Sequence, residues 1–402
     1  MTTGSIRQIA ELQIATLSMS ESPDTQDSPE SPETSGTQES LGAQHLGAHH
    51  LGAQHSQPPL KPTADVPVTL PRVQPPSATF ILQLFVIPLV IVSIIVMVWL
   101  MFSWLAHMGS DPKDMVRDLK KLNDVSWQRA LTLADVLRNP AYDELKDDAE
   151  LAADLAAILQ AQIDGGSTDE PAVKLRMFLC RALGEFRAAE VIPVLLTAAK
   201  TEHELADIDV RRAALQALAV YTNSQDGRFQ NRDEVLETVL GVSRERSDGG
   251  TDKPARDELR STAAFVLGVM GDPRALDRLA LMLNDAHTNA RYNAALGLAR
   301  HGDGGSIPVL LEMLDPANEE SAETEPTESA KASKRMSVIK NGIEGAGQLA
   351  TKNPKLELEE LISALEAVVN SELPLLHTRV RRGIRINAEE VLLRIRAGET
   401  AK

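Results

Sequence analysis

The run LRSTAAFVLGVMGDPRALDRLALMLNDAHTNARYNAALGLARHGDGGSIPVLLEML, residues 259–314, decides the fold. Arg260 is followed by Ala263, Ala264 and Leu267 at offsets +3, +4 and +7, and Arg291 by Ala294, Ala295 and Leu298 at the same offsets. Residues so spaced share one face of an α-helix, because about 3.6 residues complete a turn. Between the two copies, PRALDRLALML (273–283) carries a second apolar face, and SIPVLLEML (306–314) follows the second copy. The joints MGDPRA (270–275) and HGDGGSIP (301–308) put Gly where one helix stops, Asp where the next is capped and Pro in its first turn.

The same figure recurs upstream. VKLRMFLCRALGEF from Val173 and DVRRAALQALAVY from Asp209 align on Arg176 and Arg211, with Leu179 and Ala214 at +3, Cys180 and Leu215 at +4, and Leu183 and Leu218 at +7. The four arginines stand 35, 49 and 31 residues apart, and amphipathic stretches at 189–200 and 232–245 fill the first two gaps. A unit of two helices in 30–50 residues buries its apolar side only against its neighbours, which predicts an all-α chain folded as an α-solenoid. Over residues 170–315 this pattern resembles HEAT repeats of the phycobilisome-lyase type. The resemblance implies an Arg opening the second helix of each pair, Ala and Leu on its inner face, Gly-Asp-Pro opening the next repeat, and an acid ahead of each Arg forming a ladder. Asp285 and Glu170, each six residues before an arginine, suit that ladder, whereas Asp207 and Asp257 are displaced from the spacing in the middle repeats. The structural repeat positions are therefore Arg176, Leu183, Arg211, Leu218, Arg260, Leu267, Arg291 and Leu298.

The solenoid is expected to run over 169–399, interrupted by an acidic, solvated loop at 315–330. Helical pattern resumes at 331–352, 356–369 and 378–397, where Arg385, Ala388, Val391 and Leu392 recover the offsets 0, +3, +6 and +7. His377, Arg379, Arg381, Arg382 and Arg385 form the one basic patch without interleaved acids. It reads as a solvated helix face, with contact to an acidic partner or to anionic headgroups as the functional alternative. Residues 108–168 read as a linker and a divergent helical cap built from PKDMVRDLKKL, SWQRALTLADVLR and ELKDDAELAADLAAILQAQI.

Ahead of this stands FILQLFVIPLVIVSIIVMVWLMFSWLA (80–106), inside a stretch from Val73 to Ser110 without Lys, Arg, Asp or Glu. About 20 apolar residues cross a bilayer, so residues 79–107 are expected to form one transmembrane helix, with Trp99 and Trp104 towards one interface. Lys113, Arg117, Lys120 and Lys121 come soon after it, which favours a cytoplasmic solenoid by the positive-inside rule. Residues 1–78, rich in Ser, Pro, Thr and Gln, are expected to be a disordered tail. Its pentads LGAQHLGAHHLGAQH (41–55) hold four of the nine histidines and read as a duplicated spacer, since nothing fixes ligand spacing or orientation for a metal.

The tail carries −5 of the formal charge of −16 and the remainder −11, which argues against a nucleic-acid partner. Cys180, the single cysteine, occupies a core-facing offset and reads as an inert buried thiol. A His-Glu pair, the repeated element of the HEAT-like deoxyhypusine hydroxylases, occurs once, at His203–Glu204, and reads as part of an exposed loop, TEHELADID. No cofactor is expected. The sequence therefore points to a membrane-held adaptor that binds a protein through its solenoid, non-catalytic. The other class is a lyase-like or isomerase-like enzyme acting on a protein-bound prosthetic group.

Overall fold

The computed structural model describes residues 77–107, 112–121, 123, 125–225, 229–247, 249–372 and 378–400. The expected tail up to residue 76, its histidine pentads and His377 lie outside the described residues. Among the described residues there are fifteen α-helices and no strands.

Helix α1 (Ala78–His107) is the apolar one. At about 1.5 Å per residue its 30 residues extend about 45 Å, and Leu82–Ser103 has the length and composition to cross a membrane. Pro88 lies inside it and leaves the Leu84 carbonyl without its helical donor. Its large apolar side chains from Leu82 to Phe102 are exposed.

The remaining helices are α2 (Pro112–Leu119), α3 (Ser126–Arg138), α4 (Ala149–Gly165), α5 (Glu170–Gly184), α6 (Val191–Lys200), α7 (Asp207–Ser224), α8 (Arg232–Val242) and α9 (Lys253–Met270). They continue with α10 (Pro273–Met282), α11 (Thr288–Arg300), α12 (Ile307–Leu314), α13 (Glu328–Lys352), α14 (Glu359–Asn370) and α15 (Thr378–Thr400). They form two layers. The odd-numbered helices from α3 to α15 pack each on the next, and the even-numbered helices from α4 cover one side of them. This is the α-solenoid that the periodicity predicts. Leu183, Leu218, Leu267 and Leu298, the +7 positions, are all buried to 0% exposure and join the layers.

The joints form as their residues dictate. Gly271 ends α9 in the left-handed region at φ 58°, which a side chain rarely adopts. Asp272 then accepts the Arg274 backbone N–H at 3.0 Å, and Pro273 takes the first helical position, where its missing N–H costs nothing. Asp303 caps the 3₁₀ turn that leads into α12 in the same way, through Gly305 N–H.

Successive odd helices pack on one another more extensively than successive even ones, and the side of the odd layer turned away from the even helices is called the inner face. Small residues permit this. A Cβ placed on Gly268 would lie 2.6 Å from Gly297 Cα, and one on Gly184 would lie 2.7 Å from Ala217 Cα. The buried apolar side chains fall into two clusters that meet in α11. Ala290, Ala294 and Leu298 belong to the core running back to Val116. Tyr292, Ala295, Leu296 and Ala299 belong to the one running forward to Ile395.

Two expected boundaries change. The stretch 144–163 is not one helix, because Asp148 takes an extended backbone, caps α4 by accepting Leu151 N–H, and leaves a 3₁₀ turn at Pro140–Asp147. The acidic segment 315–330 is not simply a solvated loop. Ser321 and Ala322 are buried around a 3₁₀ turn at Glu320–Ala322, and Thr327 caps α13 three residues before the expected start.

Candidate functional site

The repeat arginines lie within the first half of their inner helices rather than opening them, and build a ladder of ion pairs that runs from one repeat to the next. Arg176 is 2% exposed, pairs with Asp207 of the following repeat at 3.0 Å and donates to the Ser167 carbonyl at 2.7 Å. Arg211 donates to the Ala199 carbonyl at 2.9 Å and pairs with Glu202 and Glu245, to which Arg256 also bonds. Arg260 grips Asp285 with Nε and Nη2, both at 2.8 Å, bonds Asp257 at 2.8 Å and reaches the Glu245 carbonyl at 3.3 Å. Arg291 donates to the Asp285 carbonyl at 3.0 Å and pairs with Glu312 at 2.8 Å and Glu320 at 3.0 Å. Each guanidinium thus holds a carbonyl of the segment leading into its own helix and an acid of the repeat ahead.

This corrects the expected ladder. Glu170 does not meet Arg176 but pairs with Lys174, and the Asp285 carboxylate meets Arg260 rather than Arg291. The middle repeats, where the spacing looked displaced, have complete rungs, with Asp207 and Asp257 as members. Glu202 and Asp207 also tie the TEHELADID segment into the ladder, so within that segment His203, Glu204 and Leu205 are the exposed residues. Burial works against ionisation of Asp285 and Asp257. It is outweighed by the Arg260 bonds and the His287 amide on Asp285, and by the Lys253 and Arg260 bonds on Asp257, so both carboxyls sit below the ordinary aspartate range.

The other side of these helices carries the partly exposed Lys174, Phe178, Arg181, Glu258, Asn289 and Asn293, beside buried residues such as Ala213, Ser261, Thr262 and Phe265. At its N-terminal end Phe178 stacks on Trp127 with centroids 6.1 Å apart, Lys174 lies over the Trp127 ring at 5.2 Å and Arg181 over Phe178 at 5.2 Å. Farther along, α9, α11 and α13 enclose a pocket lined by Glu258, Asn289, Tyr292, Asn293, Lys334 and Asn341 over an apolar floor of Leu296, Met313 and Val338. Glu258 Oε1 accepts from Asn289 Nδ2 at 2.8 Å and lies 3.0 Å from His287 Nε2. Burial alone would raise its pKa, but the His287 bond and charge, with Asn289 and Lys334, bring it down to about 2. Asn293 donates to the Ser261 carbonyl and hydroxyl, both at 3.0 Å, and so braces α11 against α9.

Cys180 is 0% exposed, and burial pushes its thiol up to about 12, so it packs as a small apolar group. The C-terminal arginines Arg379, Arg382 and Arg385 are exposed on α15, and Arg381 donates to the Glu372 carbonyl at 3.1 Å. Ile386 and Leu393 are exposed on the same helix. Sequence reading missed the pocket residues, because they are polar at offsets that a search for apolar periodicity treats as solvated. It also missed Arg335, about two turns into α13, which donates to the Pro316 carbonyl at 2.5 Å and to Glu319 at 3.3 Å. The offsets +3 and +4 to buried Val338 and Ile339 were the signal available for it.

Residues 252–325 match the family model described as HEAT repeats, a stretch that contains α9 to α12. The match and the helical stack together support a HEAT-repeat protein. A comparison with curated proteins finds no match.

Proposed function

We propose that the chain is a membrane-anchored HEAT-repeat scaffold, non-catalytic, that binds a protein partner along the inner face of its solenoid. The apolar helix Leu82–Ser103 is its anchor, and the lysines after it favour a cytoplasmic solenoid. The arginine in the first half of each inner helix, the mainly Ala and Leu residues at +3, +4 and +7 and the Gly-Asp-Pro joint support the phycobilisome-lyase type of repeat. The observation that carries the reading is a division of labour within each inner helix. Offsets 0, +3, +4 and +7 are consumed by ladder and core, while the opposite side of the inner helices leaves partly exposed polar and aromatic residues, Lys174, Phe178 and Arg181 near one end and Glu258, Asn289 and Asn293 farther along. Such a surface suits recognition of an extended protein segment, and the anchor raises the partner's concentration at the membrane.

Proximity labelling from the C-terminus in native membranes, with the full chain and with a chain lacking residues 1–110, tests this. A defined set of neighbours that depends on residues 1–110 is the expected result. Diffuse labelling by both chains overturns the scaffold reading.

A further inference from the structure

On the reading that the inner face binds protein, the Glu258 pocket specifies the chemistry it recognises. Glu258 Oε1 already serves Asn289 Nδ2 and His287 Nε2. Its other oxygen, Oε2, is buried and accepts no hydrogen bond among the described residues. A buried carboxylate oxygen without a donor is among the costlier omissions in a folded protein. Glu258 itself lines an open pocket, so a donor that arrives from outside meets this carboxylate there.

The geometry narrows that donor. A guanidinium pairs with a carboxylate as a fork on both oxygens, and Oε1 is taken. A single ammonium needs only Oε2, and Asn289, whose amide N–H serves Glu258, offers its carbonyl oxygen as a second acceptor. The floor of Leu296, Met313 and Val338 suits the aliphatic stem of a lysine. On the facing wall Lys334, half-buried on α13, has no ion pair or hydrogen bond among the described residues, yet lies close enough to help hold Glu258 ionised. A lone incoming ammonium would meet repulsion from Lys334 unless its own chain brought an acid. In an extended strand, side chains two residues apart share a face about 7 Å apart, a span that suits two charges that share a pocket without pairing.

We propose that this pocket docks an extended partner segment bearing a lysine and, two residues away, an acidic residue, with the ammonium on Glu258 Oε2 and the carboxylate on Lys334.

The test uses the full chain in lipid nanodiscs and fluorescence polarisation of a labelled nine-residue Ser/Thr peptide with Lys-Thr-Glu at its centre. Saturable binding is expected, weakened at least about 10-fold by acetylation of the lysine and by Glu258→Gln. The double variant Glu258→Lys/Lys334→Glu should bind the peptide with the two charges exchanged better than the original. Circular dichroism checks that each variant keeps its helicity. Equal binding of the lysine and acetyl-lysine peptides, no effect of Glu258→Gln, or no saturable binding overturns the proposal. Proximity labelling of the Glu258→Gln chain separates the two readings. Neighbours retained without peptide binding leave the scaffold standing and remove the pocket, whereas the absence of defined neighbours for the wild-type chain removes the scaffold itself.

Discussion

Arg260 and Arg385 begin the same motif, each eight residues into its helix, and end in opposite situations. Arg260 is 5% exposed, gripped by Asp285 and Asp257, and tied to the Glu245 carbonyl. Arg385 is exposed, with no ion pair among the described residues, although Ala388, Val391 and Leu392 behind it are buried as the motif requires. The difference is a successor. The acid that completes a rung belongs to the next repeat, and among the described residues no helix follows α15, so Arg385 meets no such acid. The repeat motif is half of a bond, and the neighbouring repeat on its C-terminal side supplies the other half.

The sharpest way to break the contrast is through the packing both regions share. Leu267→Asp forces a carboxylate into a fully buried aliphatic layer and should cost more than about 4 kcal/mol, with cooperative loss of helicity on thermal melting. Unchanged far-UV dichroism and melting would show that the register given for α9 is wrong. Next is Arg260→Ala, which strands Asp285 and Asp257 and should cost about 3–5 kcal/mol in urea unfolding, against about 0.5 kcal/mol or less for Arg385→Ala. Equal effects would erase the distinction between inner and terminal arginines. Replacing the pair together, Arg260→Met with Asp285→Leu, should recover most of the loss, because the strongest buried charge pair is then removed as a unit.

Acidification sharpens the comparison further. Asp257, Asp285 and Glu258 have folded pKa values below their ordinary ones, so their contribution to stability is present above about pH 4–5 and is lost as pH falls through the folded values, towards about 2 for Glu258. Urea midpoints measured from pH 6 down to pH 2.5 should fall for the wild-type chain. In the Met/Leu pair variant the fall should be shallower, since Asp285 is gone and Asp257 has lost its Arg260 partner.

The helix pairs and their joints were legible because apolar spacing and Gly-Asp-Pro chemistry are local. Ser126–Arg138 matches the expected segment residue for residue, and Asp272 caps as its place before Pro273 implies. The ladder's partners were not legible. Glu245 stands fifteen residues before Arg260, Asp207 four before Arg211 and Asp285 six before Arg291, because the loops differ in length while their ends converge in space. Spacing measured within one repeat cannot reveal a bond made between two. The pocket was hidden for a second reason. Glu258, Asn289 and Lys334 lie on three helices, and a polar residue at −2 or −1 looks like any other exposed helix residue until its neighbours are placed beside it.

The direction of the ladder also has a bearing on synthesis. Asp207 is made 31 residues after Arg176, Glu245 34 after Arg211, Asp285 25 after Arg260 and Glu320 29 after Arg291. At roughly 5–20 residues per second on the ribosome, each guanidinium waits about 1–7 s for the acid of the next repeat to be polymerised. A newly emerged repeat therefore cannot close by itself, and the growing chain carries one unfinished rung at its leading end until the next repeat arrives.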